Sequence, residues 1–266
     1  MYLSINHTTR YDYDAPVQYA MQQVRLTPKV RPSQKVLNWQ IDIDGGHQEL
    51  QFEDQHRNTV LLVGFEAGRQ DITITCTGEV ETTDTNGIVG EQRGFAPLWY
   101  FRRTTDLTLP GPNVDRLTSE IDLSADNTLG TLHALSQAIS ARVSYQAGMT
   151  NVGTTAERAL ETGKGVCQDH VHVFLSAARH LGIPARYVSG YLMMNDRVDQ
   201  DATHAWAEAY VDDLGWVGFD VSNAISPDER YVCAATGLDY AEAAPVSGMR
   251  HGDSGETLCV SVQVQQ

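Results

Sequence analysis

The chain has 266 residues, enough for one large domain or two ordinary ones with a core each, and two units are expected. Hydrophobic residues make up 41% and charged residues 20%, which excludes a disordered or low-complexity chain. A formal net charge of -15 repels phosphate backbones and anionic bilayers, so neither nucleic acid nor membrane is an expected partner and a neutral or basic substrate is favoured.

The opening residues, Met1-Tyr2-Leu3-Ser4-Ile5-Asn6-His7, lack a basic region followed by an apolar one. No later stretch approaches the roughly 20 apolar residues of a membrane helix, and a cytoplasmic location is expected. Four widely spaced cysteines, Cys76, Cys167, Cys233 and Cys259, include no CxxC pair, so free thiols are expected rather than a disulfide framework or a zinc knuckle.

Leu37, Trp39, Ile41 and Ile43 alternate with polar residues, as do Ile72, Ile74, Cys76 and Val80, so each stretch predicts a strand with one buried face. Asp44-Gly45-Gly46 is a turn, and residues 59–65 form a short β-rich run. An antiparallel β-sandwich over residues 1–115 follows. The pattern weakens over residues 82–126, where Pro97, Pro110, Gly111 and Pro112 break regular structure, and the domain junction is placed there.

Leu129, Leu132, Leu135, Ile139 and Val143 then fall at helical spacing, with Ser124, Asp126 and Asn127 as candidate N-caps. A second helix begins near Cys167, since Val171, Phe174, Leu175, Ala178 and Leu181 share one stripe and Gly182-Ile183-Pro184 stops it. Strands follow over residues 185–194, 204–211 and 216–221, and Leu258, Val260, Val262 and Val264 predict a last one. Residues 116–266 are read as the second unit.

Gly163-Lys164-Gly165-Val166-Cys167 puts a cysteine at the mouth of an apolar helix. First-turn N–H groups have no intrahelical partner and the macrodipole is positive there, so a thiolate is favoured and Cys167 is the expected reactive thiol. Cys76 and Cys259 lie in strand patterns and Cys233 precedes Ala234-Ala235, which reads as ordinary packing.

Along residues 204–211, His204, Trp206, Glu208 and Tyr210 point one way and Ala205, Ala207, Ala209 and Val211 the other. The alanine face should pack on the Cys167 helix, which leaves His204 to reach the thiol round the strand's end. If paired residue numbers across the following hairpin sum to 426, Asp220 faces Trp206 and is the same-face diagonal neighbour of His204. A three- or five-residue loop is required; a slip by one residue would separate the two. The order Cys, His, Asp suits a thiol nucleophile, an imidazole base and a carboxylate that fixes the imidazole tautomer.

Gly165-Val166-Cys167-Gln168-Asp169-His170, Leu181-Gly182-Ile183-Pro184-Ala185-Arg186-Tyr187-Val188-Ser189-Gly190-Tyr191, His204-Ala205-Trp206 and Gly215-Trp216-Val217-Gly218-Phe219-Asp220 resemble the transglutaminase-like superfamily of bacteria. The match covers residues 125–225. His7-Thr8-Thr9-Arg10-Tyr11 and Arg25-Leu26-Thr27-Pro28 resemble the β-rich N-terminal region of the same proteins. The resemblance implies a papain-like α+β core with Cys167 as nucleophile, His204 as base and Asp220 as orienting acid. Val221-Ser222-Asn223 departs from the usual sequence after the acid, and His170 stands where an aromatic is common.

The implied chemistry is acyl transfer at a peptide or protein amide bond through a thioester. The Cys167 N–H is the natural oxyanion donor, with Tyr145 and Gln168 as candidates for a second. Trp206 and Trp216 are candidate substrate contacts. Hydrolysis is preferred to amine transfer, because excluding water from an open site needs special structure. A metal site from Asp169, His170 and His172 is disfavoured because helix residues two apart diverge, and no cofactor is expected. A catalytically silent peptide-binding module is the alternative of another class.

Overall fold

The computed structural model describes residues 1–122, 127–251 and 255–266. The N-terminal part runs β1 (Tyr2–Tyr13), β2 (Tyr19–Val24), β3 (Gln34–Asp44), β4 (Gly46–Glu53), β5 (Thr59–Phe65) and β6 (Asp71–Thr82). Next come β7 (Ile88–Gly90), α1 (Pro112–Ser119), α2 (Thr128–Arg142), β8 (Ser144–Tyr145), α3 (Ala156–Thr162), β9 (Lys164–Gly165) and α4 (Cys167–His180). The rest is β10 (Ala185–Leu192), β11 (Asp199–Gln200), β12 (His204–Val211), β13 (Gly215–Phe219), β14 (Tyr231–Gly237), α5 (Tyr240–Ala243), β15 (Val246–His251) and β16 (Glu256–Gln265).

Strict alternation in β1 and β6 buries one face of each strand, Leu3 and Ile5 on one and Ile72, Ile74, Cys76 and Val80 on the other. Two antiparallel sheets share this core, in the orders β11-β16-β1-β6-β3 and β15-β2-β5-β4. β3 is an edge strand with a bulge between Val36 and Asn38, and that extra residue turns Leu37 outward, against the expected burial. Gly45 makes the corner from β3 to β4: its φ is 88°, and a Cβ there would stand 2.4 Å from the Asp71 carbonyl oxygen.

The third sheet, β14-β10-β12-β13-β7, carries the helices on one face. Ala205, Ala207 and Ala209 of β12 join Val171, Phe174 and Ala178 of α4 in one core, so small residues let the helix lie close to the strand, as the alternation requires. From the opposite face Tyr191, Val232 and Ala234 join the sandwich core. β15 pairs with β2 and β16 with β1, so the chain's end completes both sandwich sheets. The division at residue 115 assigned these strands to the second unit; their pairing is with the first.

Asn127 caps α2 by accepting from the Gly130 N–H at 2.9 Å, while the other two candidate caps, Ser124 and Asp126, lie outside the described residues. Pro112 opens a helix where the sequence suggested only a break, since proline at the first helical position loses no hydrogen bond. The Glu157 carboxylate caps α1 from α3, accepting from the N–H groups of Gly111, Asn113 and Val114 at 2.8–3.1 Å. Among the described residues no helix is long and apolar enough to cross a membrane.

Candidate active site

Val166 is extended and Cys167 is the first residue of α4, with its thiol partly exposed. The Asp169 carboxylate reaches back to accept from the Val166 N–H at 2.7 Å and takes a second bond from Thr150 Oγ1 at 2.6 Å, fixing the entry to the helix. Gly165 makes room for this: a Cβ there would sit 2.6 Å from the Asp169 Cβ. Burial pushes the Asp169 carboxyl up, against the pull of those bonds.

The hairpin of β12 and β13 pairs Ala207 with Phe219 and Val211 with Gly215, sums of 426 across a three-residue loop. That register puts Asp220 beside His204, and His204 Nε2 meets Asp220 Oδ2 at 2.6 Å. The His204 ring lies against Trp206 and Tyr231 on its own face of the sheet. Cys167, packed on the opposite, alanine face, nevertheless lies near enough to the imidazole for its charge to favour the protonated ring. His204 is the first residue of its strand, at the sheet's end, and with Nε2 committed to Asp220 the nitrogen left for the thiol is Nδ1.

Asp220 is fully buried, and its carboxylate accepts five hydrogen bonds from the described residues. Besides His204, Asn223 Nδ2 and Tyr231 Oη each donate to Oδ2 at 2.7 Å, and Ser222 Oγ and the Asn223 N–H each donate to Oδ1 at 3.1 Å. Burial would raise its carboxyl, but the His204 charge and these donors hold it at about 2. Burial would likewise lower His204; the Asp220 charge and hydrogen bond, joined by Cys167, push it up to about 10. The arrangement is a carboxylate, an imidazolium and a thiol in sequence, able to hold a thiolate and pass one proton.

Residues 115–221 match the transglutaminase-like superfamily and residues 3–81 the bacterial transglutaminase-like N-terminal region. Residues 115–221 are thus a transglutaminase-like core, preceded by the N-terminal region that bacterial transglutaminase-like proteins carry. An uncharacterized protein of Mycobacterium leprae is 27% identical over 274 residues, 98% of both chains. Another, from Mycobacterium tuberculosis H37Rv, is 34% identical over 144 residues, 50% of this chain and 46% of its own. A solved chain from Cytophaga hutchinsonii described as a candidate cysteine protease superposes with a TM-score of 0.77 at 22% identity, covering 100% of this chain and 91% of that one. That likeness shows the papain-like fold, and the match to the superfamily supports cysteine-based catalysis in general.

Within this transglutaminase-like core the other site candidates fall in different places. Tyr145 is largely exposed, stacks on His170 and lies in the field of Cys167; partial burial and that charge raise its phenol. The Gln168 amide spends one of its two N–H donors on the Val152 carbonyl at 3.3 Å. Trp206 is buried against His204 and Tyr231. Trp216 is fully buried, packed on Phe101 and Tyr210 beneath the Arg186 guanidinium, with Nε1 bonded to Gln92, and so presents no surface to a substrate. His170 bonds the carbonyls of Val166 and Val143, and His172 Nε2 accepts from the Tyr240 N–H, so the two rings diverge.

Sequence reasoning missed Tyr231, Ser222 and Asn223 as partners of the acid. Ser222 and Asn223 stood in view as the departure after Asp220; a tight turn with Ala224 at φ 55° folds both back onto the carboxylate. Tyr231 arrives from β14 and carries no local signal, because its contact depends on strand order alone.

Proposed function

We propose that the chain is a cysteine-dependent acyl-transfer enzyme acting on peptide or protein amide bonds, with Cys167, His204 and Asp220 as its triad and water as the usual acceptor. The observation that carries this reading is the bonded pair His204–Asp220 set against a partly exposed thiol at a helix N-terminus. The thiolate attacks the amide carbonyl carbon, and the C–N bond breaks as His204 gives its proton to the departing amine. A thioester to Cys167 results. Water then attacks that carbonyl while His204 accepts its proton, releasing a carboxylic acid and restoring the thiolate. The Cys167 N–H is the oxyanion donor, and Tyr145, beside the thiol and partly exposed, is favoured over Gln168 as a second.

Hydrolysis is favoured over transfer to an amine because both tryptophans that would have fenced the thiol are buried in packing, which supports an acceptor site open to water. The test is a peptide library incubated with wild type and with Cys167→Ala, with and without a primary amine, the products read by mass. The expected result is cleavage or a gain of about 1 Da per side-chain amide by wild type alone, changed little by the amine. Amine-bearing products in place of hydrolysed ones would reassign the acceptor, and turnover that survives in Cys167→Ala would refute the nucleophile.

A further inference from the structure

Away from the triad, a cavity of about 900 Å3 opens between the sandwich and the outer face of the third sheet. Its volume suits a small organic ligand. Glu208 of β12, fully buried behind the two arginines that line it, uses both oxygens on their guanidiniums. Arg31 Nη1 donates to Oε1 at 2.5 Å, and Arg186 Nε and Nη2 approach Oε2 at 2.7 Å. Both arginine side chains are themselves almost buried, at 8% and 12% exposure, and both line the cavity.

Two buried guanidiniums thus share one carboxylate, and buried charges are ordinarily paired. Burial would raise the Glu208 carboxyl, but the two arginines hold it at about 2, so it supplies one negative charge against two positive. Lys29, on the same cavity, spends its three donors on neutral oxygens: the His56 carbonyl, Asn58 Oδ1 and Thr236 Oγ1 at 2.6, 2.8 and 3.2 Å. Burial pushes its amine down to about 7. At the rim Arg57 is offset by Glu53 at 3.7 Å, and Arg93 has Glu91 two residues away, so the surplus lies in the interior. A buried positive surplus in a chain of net charge -15 does not follow from composition.

We propose that this cavity binds a small organic anion, a carboxylate- or phosphate-bearing molecule, whose charged group seats on Arg31 and Arg186. Planar guanidiniums match both groups through paired N–H donors. Arg186 is held for this role by Glu208 below it and the Trp216 ring, whose centroid is 4.1 Å from the guanidinium carbon. The site is separate from the thiol: Glu208 lies four residues along β12 from His204, about 13 Å, with Trp206 between them on the same face.

The experiment is thermal unfolding of the full chain in a zwitterionic buffer, titrated separately with inorganic phosphate and with succinate at ionic strength fixed by potassium chloride. A saturable rise in midpoint with one or both is expected, and which series produces it distinguishes phosphate from carboxylate ligands. Arg31→Gln should weaken the effective anion at least about tenfold, and Glu208→Gln, which frees a guanidinium, should tighten it. Hydrogen exchange on the wild type, which needs no variant, should slow over residues 27–36 and 185–192 when the anion is added. Midpoints that track ionic strength without saturating, or protection confined to other segments, would overturn the proposal.

Discussion

At the residue scale the site turns on how Asp220 and His204 change each other. A carboxyl depressed from its ordinary 3.8 to about 2 adds stability above pH 4 and loses it as pH falls through 2. An imidazole raised from 6.5 to about 10 contributes fully below pH 6.5, and its contribution disappears as pH rises through 10. The pair is therefore worth most between about pH 4 and 6.5. Unfolding of wild type and Asp220→Asn across pH should show a difference of about 2 kcal/mol in that window, shrinking on both sides. A difference independent of pH would show that the ion pair is not formed.

At the scale of elements, the helix that bears the thiol and the hairpin that bears the other two residues were both legible in the sequence. The stripe Val171, Phe174, Leu175, Ala178 with the stop at Gly182-Ile183-Pro184 marks α4, and the alternation at residues 204–211 sets the hairpin register. What escaped was whatever depends on contacts between distant segments. Glu157 capping α1 across 46 residues, the bulge that exposes Leu37 and the Tyr231 bond to Asp220 leave no periodic trace. The entry to α4 makes its own prediction. Gly165→Ala drives a methyl group into the Asp169 side chain, and should cost about 1–3 kcal/mol of stability and shift Cys167 enough to cut turnover. Unfolding midpoint and turnover on the same preparation check this, and wild-type values for both would contradict the proposed packing at the helix mouth.

At the scale of the molecule, the C-terminal strands join the first strand to the last. β16 pairs with β1 over ten residues and β15 with β2 over six, so residues 1–115 hold only part of each sandwich sheet, although the sequence divides most naturally there. A chain ended at residue 245 leaves the edges of both sheets unpaired and should be aggregated or unfolded by circular dichroism and light scattering; a soluble, cooperatively unfolding product would contradict the topology. The sandwich core also takes in Tyr191, Val232 and Ala234, so its completion bears on the sheet beneath the triad.

The most direct test of the triad uses the chain's own cysteines as reference. Cys76 and Cys233 are buried, Cys259 is exposed on the outer face of β16, and Cys167 is only partly exposed. With iodoacetamide at pH 6, located by mass spectrometry, a thiolate held by the imidazolium of His204 should make Cys167 react at least about tenfold faster than Cys259, and His204→Ala should abolish that preference. Labelling of Cys259 ahead of Cys167, or a preference unchanged in His204→Ala, would contradict the account.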